Sequence, residues 1–156
     1  MTHRALQPDG WPRPRGYANG LSARGRQIHV AGQIGWDARE QLVSADFVGQ
    51  TRQALRNIVD ILACDGARPE HLVRLTWYIT DRQTYIANAK AIGEVYRDII
   101  GKHFPAMSAV QVAALIEAGA LVEIEATAVV PDGADAPPGD ITDLGEDRFD
   151  EGPSGR

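Results

Sequence analysis

Hydrophobic residues at every second position predict the strands of a sheet. Residues 26–34 show this alternation, with one face formed by Ile28, Val30, Gly32 and Ile34 and the other by His29, Ala31 and Gln33. Residues 73–80 repeat the pattern, and further strands are predicted near residues 108–113 and over residues 121–130. A short strand at residues 17–21 is expected to pair with the 26–34 strand through a tight turn.

Two segments have the longer period of amphipathic helices. Apolar or small residues recur about every 3.6 positions over residues 47–64, where Asp46 is suited to cap the start and Gly66 to follow the end. Residues 83–100 form the second predicted helix, which Gly101 would stop. Its predicted inward stripe consists of Ile86, Ala89, Ile92, Tyr96 and Ile99.

These elements follow the order β-β-α-β-α-β-β, which predicts an α+β fold with a single sheet and both helices on one of its faces. The other face would then need a cover. Its predicted residues are uncharged, small or aromatic, namely Thr76, Tyr78, Ala109, Gln111 and Thr127. Such a surface suits a subunit interface better than open water, so the pattern predicts a homo-oligomer.

Length and composition favour one domain, with 156 residues of which 44% are hydrophobic. Residues 1–15 read as an extended N-terminal arm, residues 16–131 as the domain, and residues 132–156 as an acidic tail rich in Pro and Gly. The tail has few apolar residues with which to fold by itself. Docking of the tail through Ile141, Leu144 and Phe149 is the alternative.

Charge, cysteine content and hydropathy argue against nucleic-acid binding, an intramolecular disulfide and a membrane span. The tail holds eight acids and two bases, which leaves the rest of the chain with 14 bases and 13 acids. A nearly neutral domain without a Lys/Arg cluster gives no electrostatic support for nucleic-acid binding. The single cysteine, Cys64, cannot form an intramolecular disulfide, and no apolar run approaches the roughly 20 residues of a membrane span. A cytoplasmic protein is expected.

Five motifs, in order along the chain, resemble those of one family. They are GYANG at residues 16–20, VAGQIGWD at 30–37, GARPEHLVRLTWYITD at 66–81, FPAMS at 104–108 and VEIEATAVVP at 122–131. Over about residues 16–131 the chain resembles the Rid family, the RidA/YjgF reactive-intermediate deaminases also called endoribonuclease L-PSP-like. Within it, proteins associated with 2-aminomuconate deamination look most similar. The resemblance implies a chorismate mutase-like fold and a homotrimer with ligand clefts between subunits.

Rid deaminases hydrolyse enamines and imines without metal or cofactor, which requires a group to handle water and a proton source for the departing nitrogen. The resemblance places Glu123 at the water-handling position, with an ordinary solvated strand carboxylate as the alternative. Glu125, two residues on, is a weaker candidate. Tyr17 would hydrogen-bond the leaving nitrogen or simply pack at an interface. Gly32 and Gln33 match a Gly-Gln pair that would let backbone approach the ligand, although a β-bulge explains such a glycine equally well.

Four departures from the family pattern make the predicted pocket less polar. Met107 stands where the family has an arginine that grips the substrate carboxylate, Ala109 replaces a cysteine, Ala31 a serine and Gly93 an asparagine. A thioether supplies neither the charge nor the paired donors of a guanidinium, so an altered substrate preference is expected. Either another cation, such as Arg74, Arg82 or Lys90, reaches the cleft, or the substrate is less anionic. Trp36 and Trp77 could enlarge an apolar wall or belong to the core.

Three functions remain open on the sequence alone. The first is a cofactor-independent enamine/imine deaminase, with 2-aminomuconate as one possible kind of substrate. The second is a ligand-binding or chaperone-like trimer of the same fold that lacks the chemistry. The third, an endoribonuclease, is disfavoured by the neutral domain. The four histidines share no metal-ligand spacing, so no metal site is predicted.

Overall fold

The computed structural model describes residues 3–133, so the predicted docking residues Ile141, Leu144 and Phe149 lie outside the described part. The strands are β1 (His3–Leu6), β2 (Gly20–Ala23), β3 (Arg26–Gln33), β4 (Leu72–Ile79), β5 (Ala106–Gln111) and β6 (Val122–Val130). The helices are α1 (Phe47–Ala63), α2 (Arg82–Ala87) and α3 (Ala89–Ile99), with a short 3-10 helix at Pro69–His71. The predicted α+β class is confirmed. Within this range, no helix has the length and apolar character needed to cross a membrane.

The main sheet has four strands in the order β3-β6-β4-β5, in which β4 and β5 are parallel and the other neighbours antiparallel. β1 and β2 form a separate antiparallel pair. The prediction that a strand at residues 17–21 pairs with β3 is therefore wrong, because β2 pairs with residues at the start of the predicted N-terminal arm. That partner, His-Arg-Ala-Leu, is too short and too polar for hydrophobic alternation to reveal it.

Helix α1 packs its apolar side on the sheet and supplies much of the core. Leu55, Ile58 and Leu62 are fully buried there. The Asp46 carboxylate accepts a hydrogen bond from the Gly49 backbone N–H at 2.8 Å, as expected of an N-cap. Gly66 adopts the left-handed conformation, with φ 68°, soon after the helix ends. Both predicted boundaries of this helix are confirmed.

A buried glutamine ties α1 to the chain before β6. Gln50 is fully buried, and its side-chain oxygen accepts from the Leu121 N–H at 2.8 Å. Its amide nitrogen donates to the carbonyls of Gly119 at 2.9 Å and Ser44 at 3.0 Å. A buried polar side chain with its groups paired in this way fixes the neighbouring backbone. The entry of the chain into β6 is thereby held against the start of α1.

The second predicted helix is two helices, and its predicted stripe is partly wrong. Asn88 leaves helical geometry between α2 and α3, and its side-chain amide donates to the Thr84 carbonyl at 2.8 Å. The break rotates α2 relative to the expected stripe, so Ile86 is exposed while Tyr85 contacts the core. On α3, Ile92, Val95 and Tyr96 are the buried residues.

Pairing between strands corrects the predicted content of the uncovered face. Thr76 on β4 is in register with Ser108 on β5 and with Glu125 on β6. Residues in register point to the same side of a sheet, so Thr76 shares this face with Ser108 and Glu125. Ala109 pairs with the buried Trp77 and therefore faces the helices, as does Gln111, which pairs with Ile79. We call the helix side the covered face and the other side the open face.

Candidate active site

The covered face contains a cavity of about 480 Å³ between β5, the helices α2 and α3, and the segment before β2. Four of the predicted site residues line it: Tyr17, Gly93, Met107 and Ala109. Aromatic rings form much of the remaining wall, from Trp77, Tyr85, Tyr96 and Phe104. The cavity therefore suits a small organic molecule, with an apolar surface to pack against it.

Backbone pairing brings Tyr17 into this cavity. The N–H of Ala18 donates to the Pro105 carbonyl at 3.0 Å, and Ala18 forms a parallel bridge with Ala106 at the start of β5. Tyr17 therefore lies beside the strand that carries Met107. The residue is 42% exposed, which leaves it accessible to a ligand.

The approach to β5 is fixed by polar contacts of its own. The His103 ring nitrogen Nε2 lies 2.6 Å from the Leu72 carbonyl, and the Tyr96 hydroxyl donates to the His103 carbonyl. The Phe104 ring stacks on Tyr96 with centroids 5.6 Å apart. Burial raises the pKa of Tyr96 above its usual value, so its hydroxyl stays protonated and keeps this contact at neutral pH. These contacts hold the segment that leads into β5, the strand that carries Met107.

Two cations in the cavity wall, Arg15 and Arg97, were not predicted from the sequence. The suggested replacements for the missing guanidinium were Arg74, Arg82 and Lys90. None of these lines the cavity, and Arg74 lies on the open face. The signal that could have identified Arg97 is its spacing, because it follows Gly93 by four residues and so lies one helical turn further along the same side of α3. Trp77 lines the cavity, as suggested, whereas Trp36 does not.

Glu123 lies on the open face, packed against Gly32. A Cβ atom added to Gly32 would collide with the Glu123 carboxylate. The pairing of β3 with β6 is irregular between Val30 and Gln33, which is the bulge that the sequence left open. The bulge corrects the predicted strand face, because Gly32 turns toward Glu123 and away from the side of the buried Val30. Glycine here allows close approach of a side chain of the same protein.

The two carboxylates of β6 differ in their partners. Glu125 accepts a hydrogen bond from the Tyr78 hydroxyl at 2.7 Å, and this bond raises the pKa of Tyr78. Glu123 has no hydrogen bond or ion pair to any residue of the range 3–133, and it is partly exposed. A carboxylate with free acceptor positions is available to bind water or a ligand. Of the two carboxylates, Glu123 is therefore the better candidate for a catalytic role.

A shallow depression of about 430 Å³ on the open face holds Ala31 with polar side chains, among them His29, Arg74, Thr76 and Glu125. Gln33 belongs to neither this depression nor the cavity, and its side chain donates to the Ala31 carbonyl at 3.2 Å. Within a single chain, the residues predicted to form one site therefore lie on opposite sides of the main sheet. Tyr17, Gly93, Met107 and Ala109 lie on the covered side, whereas Ala31, Gly32 and Glu123 lie on the open side.

Comparison with known proteins identifies the family. The model of the family described as Endoribonuclease L-PSP matches residues 12–130. The chain is 41% identical over 105 residues to the 2-iminobutanoate/2-iminopropanoate deaminase of Capra hircus and 37% identical over 105 residues to that of Homo sapiens. Each alignment covers 67% of this chain and 73% of the relative.

A solved structure supports the same assignment. The Rid family protein YyfB of Yersinia pestis, described as of unknown function, superposes with a TM-score of 0.74 at 35% sequence identity, covering 83% of this chain and all of the other. The family that the five motifs predicted is thus found independently by sequence and by fold. The chain belongs to the Rid family.

Proposed function

We propose that this chain hydrolyses the C=N bond of imines, and of the enamines that tautomerise to them, in a site formed between two copies of the chain. The reaction class is supported by the mammalian relatives, which are named as 2-iminobutanoate/2-iminopropanoate deaminases. The observation that carries the proposal is the unengaged carboxylate of Glu123, which occupies the space left by the missing side chain of Gly32 on the open face. Neither metal nor cofactor is needed for this chemistry.

The reaction is an exchange of one water for one ammonia. Glu123 accepts a proton from water as the oxygen adds to the imine carbon, which gives a tetrahedral carbinolamine. The carboxylic acid so formed then returns that proton to nitrogen. The proton of the new hydroxyl follows through the same carboxylate, so that the C–N bond breaks, ammonia leaves and a carbonyl forms. A hydrogen bond from the Tyr17 hydroxyl to the nitrogen would assist its departure. Over the full cycle Glu123 regains its charge and the imine becomes a ketone.

The division of the site residues between two faces supports a shared site. The cavity on the covered side supplies binding surface and Tyr17, and it holds no carboxylate in its wall. Glu123 on the open side supplies the base, and it lines neither the cavity nor the depression on the open face. Assembly of copies with the open faces directed inward would bring the open face of one protomer to the cavity of the next. A closed ring of three is the assembly that the family resemblance implies.

The test compares two neighbouring carboxylates. Glu123→Gln keeps the size and polarity of the side chain but cannot take a proton, so ammonia release from 2-iminobutanoate should fall about 100-fold or more. Glu125→Gln, the matched control, keeps an oxygen for Tyr78 and should retain most of the activity. The assay measures ammonia or 2-oxo acid from imines generated in place, with 2-aminomuconate as a second substrate.

Three results would decide against the proposal. If the wild-type protein hydrolyses neither substrate faster than buffer does, the remaining hypothesis is a ligand-binding protein of the same fold. Equal losses in Glu123→Gln and Glu125→Gln would point to a general effect of charge on this face. Cleavage of RNA by the wild type, lost in Glu123→Gln, would favour the endoribonuclease that the family description names.

A further inference from the structure

The cavity on the covered face carries an unbalanced positive charge. Its charged wall residues are Arg15 and Arg97, and no Asp or Glu lies in the wall. Neither arginine forms an ion pair with a carboxylate in the described part of the chain. Guanidinium groups stay protonated at every physiological pH. An apolar cavity with two unpaired cations is suited to an organic anion.

Of the two cations, Arg97 is the one held by a regular element. It lies on α3 one turn after Gly93, and a Cβ atom built on Gly93 would be 3.8 Å from Nη1 and 3.9 Å from Nη2 of Arg97. The guanidinium therefore lies across the glycine, where a longer side chain would occupy the adjacent space. Arg15, in contrast, precedes β2 in an irregular segment. Gly93 and the Arg97 guanidinium therefore lie next to each other in the cavity wall.

A second polar group in the same wall lacks a partner. Trp77 is only 3% exposed, and its indole Nε1 is buried without a hydrogen-bond acceptor among residues 3–133. A buried donor without a partner is unfavourable, and Nε1 would gain one from a bound carboxylate only if the wall moved enough to expose it. The ligand chemistry is therefore set by the charge of the two arginines.

We propose that Arg97 is the anchor for the carboxylate of the substrate, and that the cavity binds 2-imino acids and the 2-oxo acids they yield. The inference rests on the proposed function for the identity of the substrate, but not for the binding of an organic anion. A guanidinium can grip a carboxylate with two parallel hydrogen bonds. Met107 packs against the apolar part of the ligand. Arg97 in this role determines specificity and is not a proton donor or acceptor in the reaction.

The binding experiment is independent of turnover. Thermal stabilisation by increasing concentrations of 2-oxobutanoate gives a dissociation constant for the wild type, Arg97→Gln and Arg56→Gln. Arg56 is an exposed arginine on α1, outside the cavity wall, and its replacement removes the same charge. Arg97→Gln should weaken binding about 10- to 100-fold, as expected for loss of a charged hydrogen-bonded pair. Arg56→Gln should stay within about twofold.

Kinetics give the second readout. With 2-iminobutanoate, Arg97→Gln should raise KM by a similar factor and change kcat little, since the carboxylate is bound equally in the ground and transition states. An imine of a neutral ketone should be hydrolysed equally well by both proteins. Met107→Arg, added to Arg97→Gln, should restore part of the affinity from the opposite wall.

Several outcomes overturn the assignment. Wild-type protein that does not bind 2-oxobutanoate, or Arg97→Gln that binds it as tightly as Arg56→Gln does, refutes the anchor. If Arg15→Gln loses binding and Arg97→Gln does not, then Arg15 binds the carboxylate and the proposed role of Arg97 is wrong. If 2-oxobutanoate binding depends on Arg97 and no imine is hydrolysed, the anchor stands and the proposed function fails.

Discussion

The two faces of the main sheet differ in how completely one chain builds them. On the covered face, α1 packs Leu55 and Ile58 into a closed core, and α3 closes the side of a cavity. On the open face, polar side chains such as Glu123 stand on the strands, and no helix or strand among residues 3–133 packs above them. One face holds a cavity whose wall contains no carboxylate, and the other holds Glu123, which lines neither that cavity nor the depression on its own face.

If the active site is shared as proposed, the unit of function is larger than the unit of folding. Burial by α1 stabilises the chain whether or not copies associate, because its apolar residues are already covered. In the proposed shared site, the chemistry depends on which surface of a second copy packs against the open face. Changes on the open face should therefore alter activity more than stability, and changes in the helical layer should do the reverse.

The largest expected effect is recovery of activity by mixing two inactive variants. Glu123→Gln lacks the base, and Ala109→Trp fills the cavity from β5, so each alone should be inactive. In a ring of three, every mixed trimer contains one site with an intact cavity from one protomer and an intact Glu123 from the next. Trimers purified through two different affinity tags should show about a third of wild-type activity.

The control for that experiment is a mixture of the same variant carrying both tags, which should stay inactive. A double variant with both changes in one chain, mixed with wild type, checks that exchange itself does no harm. If the mixed trimers of the two single variants show no activity although they assemble, then each site lies within one chain. The contrast between the faces would then have no functional meaning.

Local patterns were enough to predict the helical layer. The 3.6-residue period and Asp46 located α1, because an amphipathic helix of this length encodes its own start and buried side. The break at Asn88 was missed since it depends on a side-chain contact with the Thr84 carbonyl. No periodicity records such a contact. Ile86 was consequently assigned to the wrong side.

The candidate site was predicted less completely, because it depends on register and on pairs distant in sequence. The motif located Glu123, but only the bulge beside Gly32 shows what positions its carboxylate. Ala109 was assigned to the open face because the register of β5 with β4, which pairs Ala109 with Trp77, was unknown. Arg97 resembles any solvated arginine on a helix until Gly93 is considered with it.

A smaller loss of activity is expected from Gly32→Ala. The φ angle of Gly32 is not positive, so alanine adopts this backbone without strain, but its methyl group would displace the Glu123 carboxylate. Misplacement of a catalytic group by about 1 Å costs up to about 100-fold in rate. We expect kcat for 2-iminobutanoate to fall about 10- to 100-fold with little change in melting temperature.

Gly20→Ala is the matched control, since its added Cβ would lie 3.3 Å from the Leu6 side chain on the two-stranded sheet. It should keep wild-type kcat. A Gly32→Ala protein with full activity would show that the position of Glu123 is unimportant, and the open face would lose its assigned role. A large fall in melting temperature would instead make Gly32 a structural requirement.

The smallest effect concerns the helical layer, where Asp46→Ala should lower stability and leave kcat unchanged. Loss of an N-cap costs about 1 kcal/mol of unfolding free energy. Hydrogen bonds from the Ser44 hydroxyl, at 2.6 Å, and from the Gly49 N–H hold the pKa of Asp46 below its usual 3.8. Because the folded pKa is lowered, this contribution is complete above pH 3.8 and is lost as pH falls through the folded value.

Urea unfolding at a fixed protein concentration, at pH 7 and then at steps below pH 4, measures this difference between wild type and Asp46→Ala. The gap should be widest at neutral pH and should narrow in acid as the carboxylate takes up its proton. Asp60→Ala, an exposed acid further along α1 whose side chain caps nothing, should show no such gap. A gap that is constant with pH would mean that the charge of Asp46 contributes nothing. A fall in kcat would mean that the start of α1 belongs to the site, and that the two faces are not separate in function.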